Sequence, residues 1–380
     1  MRESWVETTL DGIAEVVMGQ SPDGRTYNQE GIGLPFMQGS AEFGEHNPVP
    51  EKWCSEPKKI AESGDLLLSV RAPVGDTNFA DQRIAVGRGL SIIRANKESL
   101  TEFIRLVIQL NVAELIASSG SGMFASITGK NLKEFKVHLP PLPEQRRIVD
   151  LISSVDSYTE ALQQQLASTK SSRSAVLYEL LTAGGDDWVE TKLGLIAEFV
   201  MGQAPLGERC NKEGIGTPFV KAGEFGENRP AIVEWTTDPL KMAKHSDVLV
   251  CVVGATAGKI NLGADCAIGR SVAAIQPSKK LNQFYLYYLL SLELSNLRSG
   301  SRGSAQGVIT KDDLYRIPVR LPSIEEQNVT VSIVSSIDNF IDHITSTLKH
   351  VRNLRSGLLS DLLSGEHEIP ASYDKVIGAA

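Results

Sequence analysis

Two stretches of the chain carry a narrow apolar stripe over an unusually long run. Apolar or near-apolar positions step by four and three through Ile148, Ile152, Val155, Thr159, Leu162, Leu166, Thr169, Arg173, Val176 and Leu180. The same step returns through Val334, Ile337, Ile341, Ile344, Leu348, Val351, Arg355, Leu358 and Leu362, each position 182 residues after its counterpart between Ile152 and Leu180. A mean step of about 3.5 residues is the pattern of a coiled-coil seam, so each stretch predicts a long helix and the two seams predict each other as partners. The ends have physical causes too. Pro143 suits a first helical turn, where its missing N–H is no loss, and Ser323 with Glu326 has capping-box spacing. Gly184-Gly185 and Gly365 then stop the helices. Roughly 38 residues at about 1.5 Å each give a rod near 57 Å, the length of a spacer rather than of an ordinary core helix.

The rest of each half reads as short β segments broken by glycine and proline. Gly64-Asp65 is a turn signal before Leu66-Leu67-Leu68-Ser69-Val70, and Ser246-Asp247 precedes Val248-Leu249-Val250-Cys251-Val252-Val253 in the same way. Both runs predict buried strands. A glycine-bearing loop follows each, at residues 71–75 and 254–259, and then a second strand around Gly87 to Ile93 or Gly269 to Ile275. Helices are expected near Leu100 to Ile116 and Gln283 to Leu297.

The halves repeat one another in text as well as in pattern. Trp5-Val6-Glu7-Thr8 recurs as Trp188-Val189-Glu190-Thr191, and Val17-Met18-Gly19-Gln20 as Val200-Met201-Gly202-Gln203, both 183 residues on. Glu42-Phe43-Gly44-Glu45, Gly87-Arg88 and Ile127-Thr128 recur 182 residues on, so one small deletion separates the copies. Matches in constant order identify a tandem duplication. The expected fold class is therefore a pair of α/β (α+β) domains in tandem, separated and joined by two long antiparallel coiled-coil helices, with a pseudo-twofold internal repeat. The corresponding segments are a first domain at 1–143, a helix at 144–184, a second domain at 185–325, a second helix at 326–365 and a tail at 366–380.

Composition narrows the class. At 380 residues and 42% hydrophobic content the chain can bury sizeable cores. No apolar run reaches the ~20 residues of a membrane helix, and Met1-Arg2-Glu3-Ser4 lacks the layout of a secretory signal, so a cytoplasmic location is expected. Cys54, Cys210, Cys251 and Cys266 have no metal-ligand spacing and read as reduced thiols. The six histidines, His46, His138, His245, His343, His350 and His367, are isolated in sequence and read as surface or core residues. No methyltransferase tetrapeptide of the Asn/Asp-Pro-Pro-aromatic type occurs, nor a P-loop, nor a zinc signature. A net charge of −8 argues against a free-standing nucleic-acid binder. Lys130, Lys133, Lys136, Arg146 and Arg147 nevertheless cluster, as do Arg298, Arg302, Lys311, Arg316 and Arg320; solvated faces and phosphate-facing surfaces both account for such clusters.

Several motifs carry a family resemblance. Leu139-Pro140-Pro141-Leu142-Pro143-Glu144-Gln145 and, more loosely, Leu321-Pro322-Ser323-Ile324-Glu325-Glu326-Gln327 each precede a long helix. Gly64 to Arg71 leads into a glycine-containing loop, and Ile127-Thr128 is followed by Leu132 ahead of the proline segment. In these features the chain resembles the specificity subunit of a type I restriction-modification system, over essentially residues 1 to 365. The resemblance implies that each domain is a target-recognition domain reading one half of a split double-stranded DNA site, and that the helices form an antiparallel coiled coil that spaces the readers. It also implies methyltransferase subunits docked on this scaffold, S-adenosylmethionine bound to those subunits, separate motor-nuclease restriction subunits, and no cofactor, metal or catalytic residue on this chain.

Candidate DNA contacts are Gln38, Arg71, Arg88 and Lys130 in the first domain and Lys221, Lys259, Arg270 and Lys311 in the second. Arg88 and Arg270 follow a glycine that permits close approach to phosphate, though structural salt bridges explain them equally. Gly19-Gln20 and Gly202-Gln203 read as turns or as base readers. The loops at Ser121-Gly122-Met123-Phe124 and Arg302-Gly303-Ser304-Ala305 differ between copies, as do Gln38-Gly39-Ser40 and Lys221-Ala222-Gly223, which is enough for two different half-sites. Arg173 and Arg355 interrupt the seams at equivalent places, either with stems that snorkel outward or as polar contacts to another subunit. Two other functions remain open on the sequence: an enzyme with a split active site, and an assembly module without a DNA role.

Overall fold

The structure, a computed structural model, describes residues 4–117, 126–185, 187–300 and 308–377, with backbone alone at 295–300 and 376–377. The two variable loops at 121–124 and 302–305 and the side chain of Arg298 lie outside the described residues. The chain forms two compact units, Met1–Gln163 with Ser346–Ala380, and Gln164–Thr345. Each unit is one globular domain plus half of each long helix, because the helices pack across their seams rather than end to end. The linear segments read from sequence therefore divide the chain differently from its packing.

In unit 1, a four-stranded antiparallel sheet runs Ala14–Met18, Leu90–Ala95, Leu66–Ser69, Thr77–Phe79 in spatial order. A five-stranded sheet runs Tyr27–Asn28, Lys52–Cys54, Leu34–Met37, Ile84–Val86, Ile60–Ala61, with one parallel pair, Leu34–Met37 beside Ile84–Val86. Val6–Thr9 pairs with Lys136–Leu139 and closes the domain. Unit 2 repeats all three sheets, for example Ala197–Met201, Val272–Pro277, Val248–Cys251, Ile260–Leu262. With sheets mostly antiparallel and helices set apart, the class is α+β.

The continuous apolar strand of each domain is explained by burial on both faces. Leu66 and Leu68 join the core beneath the helix Thr101–Ala117, whereas Leu67 joins a second core with Met37, Ile84 and Ile92 between the two sheets. Val248 and Val250 face the helix side in unit 2, and Leu249 and Cys251 face the sheet side. Strand alternation is present but masked, since neither face meets water. Cys54, Cys251 and Cys266 are buried thiols outside any disulfide and Cys210 is half-buried; burial pushes the Cys266 thiol up to about 12.

The long helices span Leu142–Thr182 and Ile324–Leu363. Ser323 accepts from the Glu326 amide at 3.2 Å while Glu326 accepts from the Ser323 amide at 2.9 Å, completing the capping box. Gly184 and Gly365 stand just beyond the helix ends at φ 67° and 73°, a conformation that favours glycine. Within each unit the helix halves run antiparallel: Ile148 and Ile152 share a core with Leu359, Leu362 and Leu363, and Leu177 and Leu181 share one with Val334. Ile148, Ile152, Leu162, Val334, Ile344, Leu348 and Leu362 are buried, and Val155, Leu166, Val176, Leu180, Ile337, Ile341, Val351 and Leu358 are half-buried. Leu177, Leu181 and Leu359 lie deeper than the seam residues Val176, Leu180 and Leu358 beside them because there the helices rest on a globular core as well as on each other.

Arg355 and Arg173 turn into the seam rather than snorkelling outward. Each forms a two-pronged ion pair across the seam, Arg355 with Asp156 in unit 1 and Arg173 with Asp338 in unit 2. Asp338 is the repeat counterpart of Asp156. Gln109 of the unit 1 domain helix accepts from Arg355 at 3.3 Å, and the Tyr288 ring lies 5.7 Å from the Arg173 guanidinium in unit 2. A charged pair within an apolar seam specifies register, because a slip would leave partly buried charges unpaired.

The glutamine of the Pro-Glu-Gln motif proves structural. Gln145, fully buried, accepts from the Leu100 amide at 2.9 Å and donates to the carbonyls of Glu98 and Pro140 at 2.8 Å each. Gln327 repeats this with the Asn282 amide at 2.8 Å, Lys280 at 2.9 Å and Pro322 at 3.0 Å. The start of each long helix is thereby stapled to the start of its domain helix. Gln145→Leu strands three backbone groups, one buried and two part-buried, and is expected to lower stability by about 2 to 3 kcal/mol, read as a fall in the urea midpoint; an unchanged midpoint would show the staple to be idle.

The copies diverge at one buried carboxylate. Asp65 is held by Arg94 at 2.9 and 2.7 Å, and Arg94 also meets Glu15 at 3.1 Å. In unit 2 Asp247 has only Gln276 there, at 3.2 Å, and burial raises its pKa above the ordinary carboxylate value. Gln276→Arg, with Glu198 opposite, restores the ion pair and is expected to raise stability near neutral pH by about 1 kcal/mol. The gain should shrink as the carboxylate protonates in acid, which thermal unfolding at two pH values will show.

Candidate nucleic-acid interface

Three chain segments leave the four-stranded sheet of unit 1 at the same end. Met18 is opposite Ser91 and Leu90 is opposite Ser69, so Gly19-Gln20, Val70-Arg71 and Arg88-Gly89 emerge together. The crossing is tight: the Gly19 amide donates to Leu90 at 2.9 Å, the Val70 amide to Gly89 at 2.9 Å, and the Ile127 amide to Val70 at 2.9 Å. Arg71 bridges to Ser126. A Cβ on Gly19 would stand 2.1 Å from the Gly87 carbonyl, and one on Gly202 would stand 2.2 Å from that of Gly269. Close backbone packing thus accounts for the glycine of each Gly-Gln motif, while the side chains of Gln20 and Gln203 are exposed.

Gln38 joins this end from the second sheet, its carbonyl accepting from Gly89 at 3.2 Å. Its side-chain amide meets the Ser21 hydroxyl at 3.1 Å, and that hydroxyl accepts from the Arg88 amide at 3.3 Å. Ser21 is a hub that sequence reasoning missed, since a lone serine carries no signal. Thr128 caps the short helix Gly129–Lys133, and Gly129 rests against Met18, which puts Lys130 at the same edge. All four candidates of the first domain converge there.

Unit 2 builds the same end with different heads. Gly202 donates to Val272 at 2.9 Å, Val252 to Ser271 at 2.9 Å and Ile309 to Val252 at 2.8 Å, with Val253 bridged to Val308. Lys221 replaces Gln38; it pairs with Glu234, which raises its pKa, and lies 5.6 Å over the Phe219 ring. Lys259 is tied to the Phe225 carbonyl at 2.7 Å. Arg270 is exposed, and Lys311 opens the helix Lys311–Arg316 behind the Thr310 cap. Where the first domain presents Arg71, the second presents half-exposed Val253. Among the described residues Arg71, Arg88 and Arg270 make no ion pair, so no salt bridge there accounts for Arg88 or Arg270.

One trio of potential metal ligands comes together among the described residues, Glu45, His46 and Glu160, at the surface of unit 1. His46 is thus less isolated than its sequence position suggests, although its contact to Glu160 is 4.0 Å. No helix among the described residues is long and apolar enough to cross a membrane.

A duplicated α+β domain, each copy presenting a basic and polar sheet end and each stapled to a seam-bearing helix, defines a tandem recognition protein. The chain belongs to the family of the type I restriction modification DNA specificity domain, whose model matches it twice, at residues 2–169 and 185–352. It is 22% identical over 446 aligned positions to the type I restriction enzyme EcoBI specificity subunit of Escherichia coli, a match covering 99% of this chain and 92% of that protein. A Methanocaldococcus jannaschii protein bearing the name MjaX specificity subunit is 37% identical over 183 residues, which is 47% of this chain and 43% of that protein. The HsdS subunit from Thermoanaerobacter tengcongensis shares the fold with a TM-score of 0.57 at 24% identity, covering 97% of this chain and 98% of that one. A chain from a type I R-M system solved for its complex assembly and conformational transition superposes with a TM-score of 0.71 at 23% identity, over 97% and 99% of the two chains.

Arg88→Ala removes an exposed, unpaired cation at the convergent end. It is expected to weaken DNA binding of the assembled complex by roughly tenfold to a hundredfold while leaving the thermal midpoint in place. Fluorescence anisotropy at fixed salt measures the first and calorimetry the second; unchanged affinity removes this end of the sheet from the interface.

Proposed function

We propose that this chain is the DNA-reading subunit of a type I restriction-modification complex, each domain reading one half of a bipartite double-stranded site through the convergent end of its four-stranded sheet. The observation that carries this is the reuse of one rigid frame for different heads, Gln38 and Arg71 in one copy and Lys221 and Val253 in the other, beside an arginine that both copies keep at Arg88 and Arg270. Fixed backbone with exchanged side chains is what direct readout of two unlike half-sites requires. The long helices act as the ruler between half-sites and as the dock for methyltransferase subunits, which bind S-adenosylmethionine and perform the methyl transfer; motor-nuclease subunits do the cutting. The chain itself is non-catalytic and works in the cytoplasm.

An acidic protein reads DNA in this scheme because its partners supply much of the phosphate contact. The isolated chain, with its net charge of −8, is expected to bind DNA weakly at physiological salt. Addition of the cognate methyltransferase subunit is expected to restore sequence-selective binding, and tight specific binding by the chain alone would reject the scheme. Methyl transfer from labelled S-adenosylmethionine by the chain alone would point instead to an enzyme.

A further inference from the structure

One bridged pair of residues at the sheet end changes character between the copies. In unit 1 Arg71 bridges to Ser126, and both are exposed. In unit 2 the positions 182 residues on, Val253 and Val308, bridge in the same way, and these valines are 43% and 53% exposed. The backbone beneath is the same in each copy. Val70 and Val252 donate to Gly89 and Ser271 at 2.9 Å, and Ile127 and Ile309 donate to Val70 and Val252 at 2.9 and 2.8 Å. Unit 1 carries a polar pair on this frame, so the fold itself does not call for two apolar side chains in water there.

The surroundings narrow what the valines meet. Arg270 adjoins Ser271, whose carbonyl accepts from the amide of Val252 beside Val253, and Lys311 lies three residues beyond Val308. Both cations are exposed, and neither forms an ion pair among the described residues. A small apolar pair flanked by cations complements a polyanion that carries an apolar spot. Among the base edges of the major groove that spot is the C5 methyl of thymine. Arg71, at the same place in unit 1, offers a two-pronged donor that matches the O6 and N7 acceptors of guanine. Its guanidinium is not engaged by another side chain among the described residues.

We propose that this bridge is a specificity-determining position: Val253 with Val308 reads a thymine methyl in the half-site of unit 2, and Arg71, beside Ser126, reads a guanine in the half-site of unit 1. The proposal rests on the function assigned above and adds the base that each head selects.

Sequencing of methylated positions in cells carrying the complete system gives the bipartite site. Duplexes of that site with deoxyuridine for thymidine, one position at a time, lose a methyl and no hydrogen-bonding group. By fluorescence anisotropy at fixed salt, the complex of the unaltered chain with its methyltransferase subunits is expected to bind one such duplex about fourfold more weakly, the worth of burying one methyl. Replacing one guanine of the other half-site by 7-deazaguanine, which lacks the N7 acceptor, is expected to weaken binding by about tenfold. Exchange of the pair, Val253→Arg with Val308→Ser, is expected to abolish the deoxyuridine effect and to turn that position of the methylated site to guanine, with the other half-site unchanged. The thermal midpoint is expected to hold, because the frame already carries this pair in unit 1. Absence of the deoxyuridine effect overturns the valine assignment, absence of the 7-deazaguanine effect overturns the arginine one, and an exchanged pair that leaves the methylated site as it was overturns the bridge as a specificity position. In each of these cases sequence-selective binding by the unaltered complex leaves the functional assignment standing, whereas a complex that selects no sequence overturns that assignment as well.

Discussion

A helix of 41 residues with a seam only two positions wide in every seven cannot stay ordered in water by itself. Its apolar stripe has to be covered along its whole length, and the antiparallel stretch of the second long helix does so within each unit. The requirement reaches beyond the helices. Near each end the seam merges with a domain core, where Leu177, Leu181, Leu359 and Leu363 are buried against globular residues. Domain and helix are therefore not separable pieces, and each compact unit draws on segments far apart in sequence.

Polar groups fix what apolar burial leaves loose. Hydrophobic contact along a seam tolerates sliding by a heptad, whereas Arg355 with Asp156 and Arg173 with Asp338 tolerate none. Gln145 and Gln327 do similar work at the helix starts, each tying two backbone groups more than forty residues away and one on the adjoining proline segment. Duplication exposes which of these devices the fold needs. Both copies keep the glutamine staple and the seam pair, while the buried carboxylate at Asp65 and Asp247 has kept its guanidinium partner in one copy only.

The same logic governs the convergent sheet end of each domain. Backbone hydrogen bonds among Gly19, Val70, Gly89, Leu90 and Ile127 set the frame, and glycine is required at Gly19 because another backbone passes where a Cβ would stand. The side chains that project from this frame are free to change without disturbing it. That separation of frame from head lets one architecture serve two half-sites.

The sequence by itself determined the duplication, the α+β halves, the two long helices with their caps, and the family motifs. These are periodic or local properties, written in residues a few positions apart. It marked the eight candidate contacts as charged or amide side chains, five of them next to a glycine, but not that those of each domain gather at one end of its four-stranded sheet. Only the tertiary structure decided that Arg173 and Arg355 pair across the seam, that Gln145 is a staple, that Ser21 is a hub and that the tail lies on Arg147. Each of these joins residues between 17 and 227 positions apart. A contact of that kind leaves no spacing to read, because it is created by the folding of the segments in between.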